Sequence, residues 1–354
     1  MNAQQFTLLR SFFGLTPPVA LSFPSHCSIN LINSFFVNDI LLNPHFQQYP
    51  PSIQYQQRFW KWAIENLEEL ARKQESEACQ ICGKGVPLQG PPAYSFVTHF
   101  WCMPEQSSEL LTSPNEDAVD VSHQHTATLL ESRTMIESGT TGLRTWLASF
   151  VLAQHLILNP DLVASKRVLE LGSGIGFLGI IIASLQQLQE TSTSPSPSLW
   201  LTDVNDEVLA RCRDNMNLSC NLSSRHQNIG YMKLDWSESL EENSPISSFI
   251  NDKINPEVIL GADIVFDPSL IPGLVRTIKI SLQPSNCSAT FKTMIIALTL
   301  RNEETMRSFL SHVRAESMRS EELLIVFETT PFFETVERDI SCENVKLFRI
   351  ITAT

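Results

Sequence analysis

Arg167-Val168-Leu169-Glu170-Leu171-Gly172-Ser173-Gly174-Ile175-Gly176-Phe177-Leu178-Gly179-Ile180-Ile181-Ile182 runs from an apolar strand, through a glycine turn, into an apolar helix. Glycine accepts a left-handed backbone and carries no Cβ, so such a turn lets a nucleotide-like ligand lie against the carboxyl end of the strand. The next apolar run, Leu199 to Thr202, ends on Asp203, whose carboxylate can accept from ribose hydroxyls. Gly174, Gly176 and Gly179 also spell G-x-G-x-x-G, the spacing of a dinucleotide site. In the other register the motif is Glu170-x-Gly172-x-Gly174-x-Gly176, with an acid inside the strand. That register suits a cationic, amine-bearing cofactor, because a carboxylate there would repel a pyrophosphate.

Outward from this turn, short β-like runs alternate with amphipathic segments, the pattern of a parallel sheet. The expected strands are Arg167 to Leu171, Leu199 to Thr202, Tyr231 to Leu234, Val258 to Gly261, Thr293 to Leu300, Leu323 to Glu328 and Val345 to Ile351. An apolar helix from Gly142 to about Leu158 precedes the first, and a Ser/Thr/Pro tract from Thr191 to Ser198 reads as a surface loop. Upstream, Phe59, Ala63, Leu67 and Leu70 recur at helical spacing between Tyr55 and Lys73. Glu105 to about Thr126 reads as a polar linker, with His123 and His125 solvated in it. The expected organisation is an N-terminal region over residues 1–130, smaller and mainly helical, and a catalytic domain over residues 131–354.

The chain has 354 residues, 43% of them hydrophobic, enough for a substantial core. Its net charge of -13 argues against nucleic acid as partner, since phosphate binding depends on Lys and Arg, and favours a basic protein surface instead. Arg10 interrupts the apolar N-terminus and no apolar run reaches membrane-spanning length, so the expectation is no membrane association and a cytoplasmic protein. A monomer is expected alongside. Eight scattered cysteines imply reduced thiols. Cys79 and Cys82 form a single C-x-x-C without a second pair, so no metal site is expected.

Three further stretches carry a resemblance. Asp263-Ile264-Val265-Phe266-Asp267 follows the fourth strand, Glu137-Ser138-Gly139-Thr140-Thr141-Gly142-Leu143-Arg144-Thr145-Trp146 precedes the first, and Leu234-Asp235-Trp236 follows the third. With the glycine turn, these resemble the class I, seven-β-strand methyltransferases and, within them, the protein-lysine methyltransferases marked by D-x-x-[FY]-D. Among these the similarity is greatest to the elongation factor 2 lysine methyltransferases, and it is strong from about Ser132 to Asp267. The resemblance implies an α/β fold, a Rossmann-like seven-stranded sheet with helices on both faces. It implies S-adenosyl-L-methionine as cofactor and a protein substrate, elongation factor 2. By the same resemblance Trp146, Gly172, Ser173, Gly174, Asp203, Trp236 and Ala262 line the cofactor site, while Asp263 and Asp267 flank the entry of a substrate amine. Asp267 also precedes Pro268 and an apolar helix, an N-cap signature. The competing readings are an NAD-type oxidoreductase, which lacks a recognisable proton-transfer pair here, and a non-catalytic binding module.

Overall fold

A computed structural model describes residues 1–24, 27–74, 94–104, 119, 121–134, 136–137, 139–189, 196–242, 244–284, 291–325, 333 and 342–353. Cys79, Cys82, the linker from Glu105 to Ala118 and most of the tract after Thr191 lie outside the described residues. Two compact units emerge, Met1–Met135 with Phe332–Val336, and Ile136–Pro331 with Glu337–Thr354.

The first unit contains helices α1 (Ala3–Phe13), α2 (Ile29–Phe35), α3 (Pro44–Gln48) and α4 (Ile53–Gln74). Asn2 and Gln5 form a reciprocal capping box that satisfies two otherwise orphaned N–H groups at the start of α1. The core is aromatic. Phe12 is fully buried, and its ring centroid lies 4.4 Å from that of Phe59 and 5.3 to 6.4 Å from those of Phe13, Phe46, Tyr55 and Trp60. The unit also holds an antiparallel pair absent from the sequence reading, β1 (Ser95–Trp101) with β2 (His125–Glu131). The hydroxyls of Thr98 and Thr128, paired directly across these strands, lie 3.0 Å apart, and His45 Nε2 lies 2.8 and 3.3 Å from them. Burial lowers the His45 pKa to about 4. His125, expected to be solvated, instead lies half-buried in β2 with its ring 4.8 Å from that of Trp101.

The second unit is an α/β sheet. Its strands are β3 (Arg167–Leu171), β4 (Ser198–Asp203), β5 (Ile229–Lys233), β6 (Val258–Ala262), β7 (Thr293–Thr299), β8 (Met318–Leu323) and β9 (Val345–Thr352). They are arranged in the order β5-β4-β3-β6-β7-β9-β8. The five from β5 to β7 are parallel, and β9 runs antiparallel to both its neighbours. Helices α5 (Leu147–Leu158) and α6 (Phe177–Leu188) pack against each other, as do α8 (Ile271–Leu282) and α9 (Glu303–Ala315), while α7 (Asp206–Met216) covers β4 and β5. Leu169, Leu171, Ile259, Met294 and Ile296 join one core cluster with α8. The intervening Val168, Leu260 and Ile295 are equally buried, so the central strands are covered on both faces.

The sixth expected strand, Leu323 to Glu328, lies elsewhere. β8 ends at Leu323, and Val326 to Glu328 are outside the described residues. β8 is an edge strand carrying charge, and Glu321 pairs with Arg349 at 2.6 Å and Glu322 with Lys346 at 2.8 Å on β9. Ion pairs run along its exposed side, while Met318 is the one residue of the strand buried in the core cluster.

Candidate active site

At the switch between β3 and β6, where the strand order reverses direction, the carboxyl ends of the sheet open a cavity of about 350 Å³. Ligands collect at such switch points because the flanking loops diverge there. β3 delivers the glycine turn, in which Gly172, Gly174 and Gly176 all have positive φ, at +66, +52 and +92°. A Cβ at Gly172 would lie 2.7 Å from Ile264 Cγ2, so this position also lacks room for a side chain. Asp203 at the end of β4 ties down the turn, its Oδ2 accepting from Gly174 N at 3.3 Å and its Oδ1 from Asn205 N at 3.1 Å. Burial raises the Asp203 pKa, opposed by these backbone hydrogen bonds.

Trp146 caps the approach to α5 and donates from its indole N–H to Thr141 O at 3.0 Å, closing the Thr140-to-Trp146 loop on itself. Trp236 follows β5 and packs closely on α8, where a Cβ at Gly273 would lie 2.7 Å from Trp236 O. Trp146, Gly172, Ser173, Gly174, Asp203, Trp236, Ala262 and Asp263, all named from the sequence, line this one cavity. Asp267 does not. It is exposed and caps the turn Pro268–Leu270, accepting from Ser269 N and Ser269 Oγ at 2.8 Å each, and these hydrogen bonds lower its pKa.

Asp263 has φ of +55° and a side chain only 5% exposed. Its carboxylate accepts from Thr299 N and Thr299 Oγ1, each at 2.8 Å, and from Arg301 Nη2 at 3.1 Å. Arg301 was not singled out in the sequence, nor was Arg144, although both line the cavity. The available signal was position, because Arg301 stands just beyond the carboxyl end of the fifth strand. Glu170 differs from its expected role. It is buried under the turn, is not among the lining residues, and burial pushes its pKa up to about 8 despite a Ser173 hydrogen bond. A carboxyl that is largely protonated at neutral pH does not select cofactors by charge. Among the described residues no group of three or more His, Cys, Asp or Glu is placed to hold a metal, and no helix is long and apolar enough to cross a membrane.

The lining fits S-adenosylmethionine chemically. A buried carboxylate stands at the glycine turn for a ribose diol, two indoles offer aromatic surface, and both signs of charge are present for a zwitterionic sulfonium. A family profile described as "Lysine methyltransferase" matches residues 127–316. The chain belongs to the lysine methyltransferase family, a class of S-adenosylmethionine-dependent enzymes, which decides between the two cofactors that the glycine spacing left open. It is similar to the protein-lysine N-methyltransferase EFM3 of Chaetomium thermophilum, 38% identical over 187 residues, 52% of this chain and 50% of the relative. It is also similar to the protein-lysine N-methyltransferase EEF2KMT of Bos taurus, 26% identical over 298 residues and covering 79% of this chain and 77% of the relative. The human EEF2KMT is 29% identical over 196 residues, 55% of this chain and 56% of the relative. The chain thus spans half the length of the Chaetomium relative that it matches.

Proposed function

We propose that this chain is a protein-lysine N-methyltransferase acting in the cytoplasm as a monomer on elongation factor 2. The observation that carries the reading is the convergence of the glycine turn, Asp203, two tryptophans and Asp263 on one cavity. In this reading Trp146, Gly172, Ser173, Gly174, Asp203, Trp236 and Ala262 hold the cofactor, with Asp203 on the ribose. When bound, S-adenosylmethionine supplies an electrophilic methyl group on a sulfonium.

The chain's own tasks are to position a lysine amine and to favour its neutral form. A lysine in water has a pKa near 10.4 and is almost wholly protonated at neutral pH, so the nucleophile must lose its proton to solvent on entry. Asp263, fixed by three donors, is the carboxylate that orients the amine. Phe266 lines the cavity yet is 55% exposed, an aromatic face available to an entering amine. Asp267 acts through the turn that it caps, next to Phe266. The N-terminal unit, with its own core and hairpin, recognises the protein substrate in this reading. The substrate assignment is supported by the similarity to the EEF2KMT proteins.

The test is transfer of radiolabelled methyl from S-adenosylmethionine to purified elongation factor 2 and to a general lysate, with Asp203→Ala as control. Label on lysine of elongation factor 2, lost in the control, supports chemistry and substrate. Label only on other proteins keeps the chemistry and rejects the substrate, and no label on any protein rejects both.

A further inference from the structure

Asp263 is already paired before a substrate arrives. Its Oδ2 accepts from Arg301 Nη2 at 3.1 Å, while Thr299 donates its backbone N–H to Oδ1 and its hydroxyl to Oδ2, each at 2.8 Å. A carboxylate offers about four acceptor positions, so these donors leave roughly one, on Oδ1, for an entering amine. Arg301 is held from a second side as well, its guanidinium carbon lying 5.0 Å from the centroid of the Trp146 ring. The side chain is thus a positive charge fixed beside the carboxylate that faces the substrate.

A lone carboxylate beside a lysine stabilises the ammonium, the form that cannot attack, and moves its deprotonation to higher pH. A guanidinium paired with that carboxylate cancels its charge and opposes a second cation at the same spot. The other charged groups around the seat are placed differently. Asp203 ends β4 and Asp235 follows β5, both on the other side of β3 from Asp263 in the strand order, and each accepts from backbone N–H groups. Asp267 is exposed and bound to Ser269, and Glu303 and Glu304 at the start of α9 are exposed, the first paired with Arg307. Arg144 adds a further positive charge 5.9 Å from the Trp146 ring centroid.

Methyl transfer itself creates no net charge in the cavity. The nitrogen lone pair forms the bond to the methyl carbon as the C–S electron pair withdraws onto sulfur, leaving S-adenosylhomocysteine, and the methylated nitrogen carries the positive charge until its proton passes to solvent. A fixed cation at the seat therefore weighs against an arriving ammonium, whereas during transfer it meets only a charge moving from sulfur to nitrogen.

We propose that Arg301 is a positioning residue for the reaction, its guanidinium cancelling the charge of Asp263 so that the seat takes a lysine as the neutral amine rather than as the ammonium. The inference rests on the reading of this cavity as the site of lysine methylation.

The experiment is single-turnover methyl transfer by the full chain at saturating S-adenosylmethionine, from about pH 6 to about pH 10. The acceptor is the protein whose lysine the wild-type chain labels most strongly in a lysate, elongation factor 2 in the reading above. In single turnover the acid limb of the rate reports loss of the amine's proton in the bound complex. Arg301→Gln, which keeps an N–H donor for Asp263 without the charge, should move that limb to higher pH by roughly one unit or more, with variant and wild-type rates converging at high pH. Arg301→Lys keeps a cation and should leave the limb within about half a unit of wild type, whatever the height of its plateau. A rate that falls by one factor at every pH in Arg301→Gln, a limb that stays in place, or transfer lost throughout would leave Arg301 a structural bracket for Asp263 and overturn the proposal, with methylation by the wild type intact. A limb displaced equally in both variants would remove charge as the cause, and overturns it as well. A wild-type chain that labels no lysine rejects the reading of the cavity, and the inference falls with it.

Discussion

Thr299 holds Asp263 twice, its backbone N–H donating to Oδ1 and its hydroxyl to Oδ2, each at 2.8 Å. The pairing stitches the tip of β6 to the end of β7 and retains Asp263 at a φ of +55°, a left-handed conformation that short polar side chains tolerate better than most. Thr299→Val removes one donor from a buried carboxylate and should destabilise the second unit by about 1–3 kcal/mol in denaturant unfolding. Thr299→Ser, which keeps the hydroxyl, should restore most of this.

Asp263→Asn preserves the size of the side chain and one acceptor oxygen, enough for the Thr299 backbone N–H, but it turns an amide NH2 toward Arg301 and discards the charge that orients an amine. Turnover should fall by roughly tenfold or more while S-adenosylhomocysteine affinity stays within a few-fold. Steady-state methyl transfer beside calorimetry separates the two, and undiminished turnover would remove Asp263 from the reaction.

Burial raises the Glu170 pKa to about 8 from an ordinary 4.5. Between these values the folded chain binds more protons than the unfolded one, so Glu170 contributes a stability that is full below pH 4.5 and declines as pH rises toward 8. Glu170→Gln cannot ionise. The stability of the variant relative to wild type should therefore increase from pH 5 to pH 8, by on the order of a few kcal/mol, in unfolding curves taken at each pH. A difference independent of pH would mean that Glu170 is ionised in the fold.

A glycine inside a helix usually gains about 0.5–1 kcal/mol on replacement by alanine. Gly273 in α8 should do the opposite, because the new Cβ would lie 2.7 Å from the carbonyl oxygen and 2.9 Å from the carbonyl carbon of Trp236, backbone atoms that cannot rotate away. Overpacking of this kind costs about 1–3 kcal/mol. Gly273→Ala should lower the melting temperature of the second unit by several degrees and weaken S-adenosylhomocysteine binding, since displaced Trp236 lines the cavity.

In the first unit, Phe12→Ala empties the centre of the aromatic cluster and should cost about 3–5 kcal/mol. Near-ultraviolet circular dichroism on urea titration would register the loss of the packed rings, and a cost below about 1 kcal/mol would show that the cluster closes over the gap.

Six strands of the sheet were legible within about two residues, because buried parallel strands read as short apolar runs between turn residues. β8 was not, since Met318-Arg319-Ser320-Glu321-Glu322-Leu323 is held by ion pairs to β9, while the more apolar run beginning at Leu323 drew the assignment downstream. The β1–β2 hairpin escaped for a different reason. Its strands are separated by 23 residues, a connection far longer than local turn chemistry can signal. In the cavity, residues within recognisable motifs were legible by position, whereas Arg301 was not, because its importance arises from an ion pair with a residue 38 positions earlier.

β9 sits between β7 and β8 yet follows both along the chain. During translation β3 reaches solvent first, and β4, β5, β6 and β7 follow in turn, each finding a neighbour among the strands already made. Among the described residues β8 pairs only with β9, which has not been synthesised when β8 emerges, and β7 meanwhile presents an open apolar edge. Exposed edges of this kind are what chaperones grip and what aggregation exploits. Delivery of Val345–Thr352 from the ribosome closes both strands at once, so the last strand of the sheet acts as the clasp of nascent-chain folding.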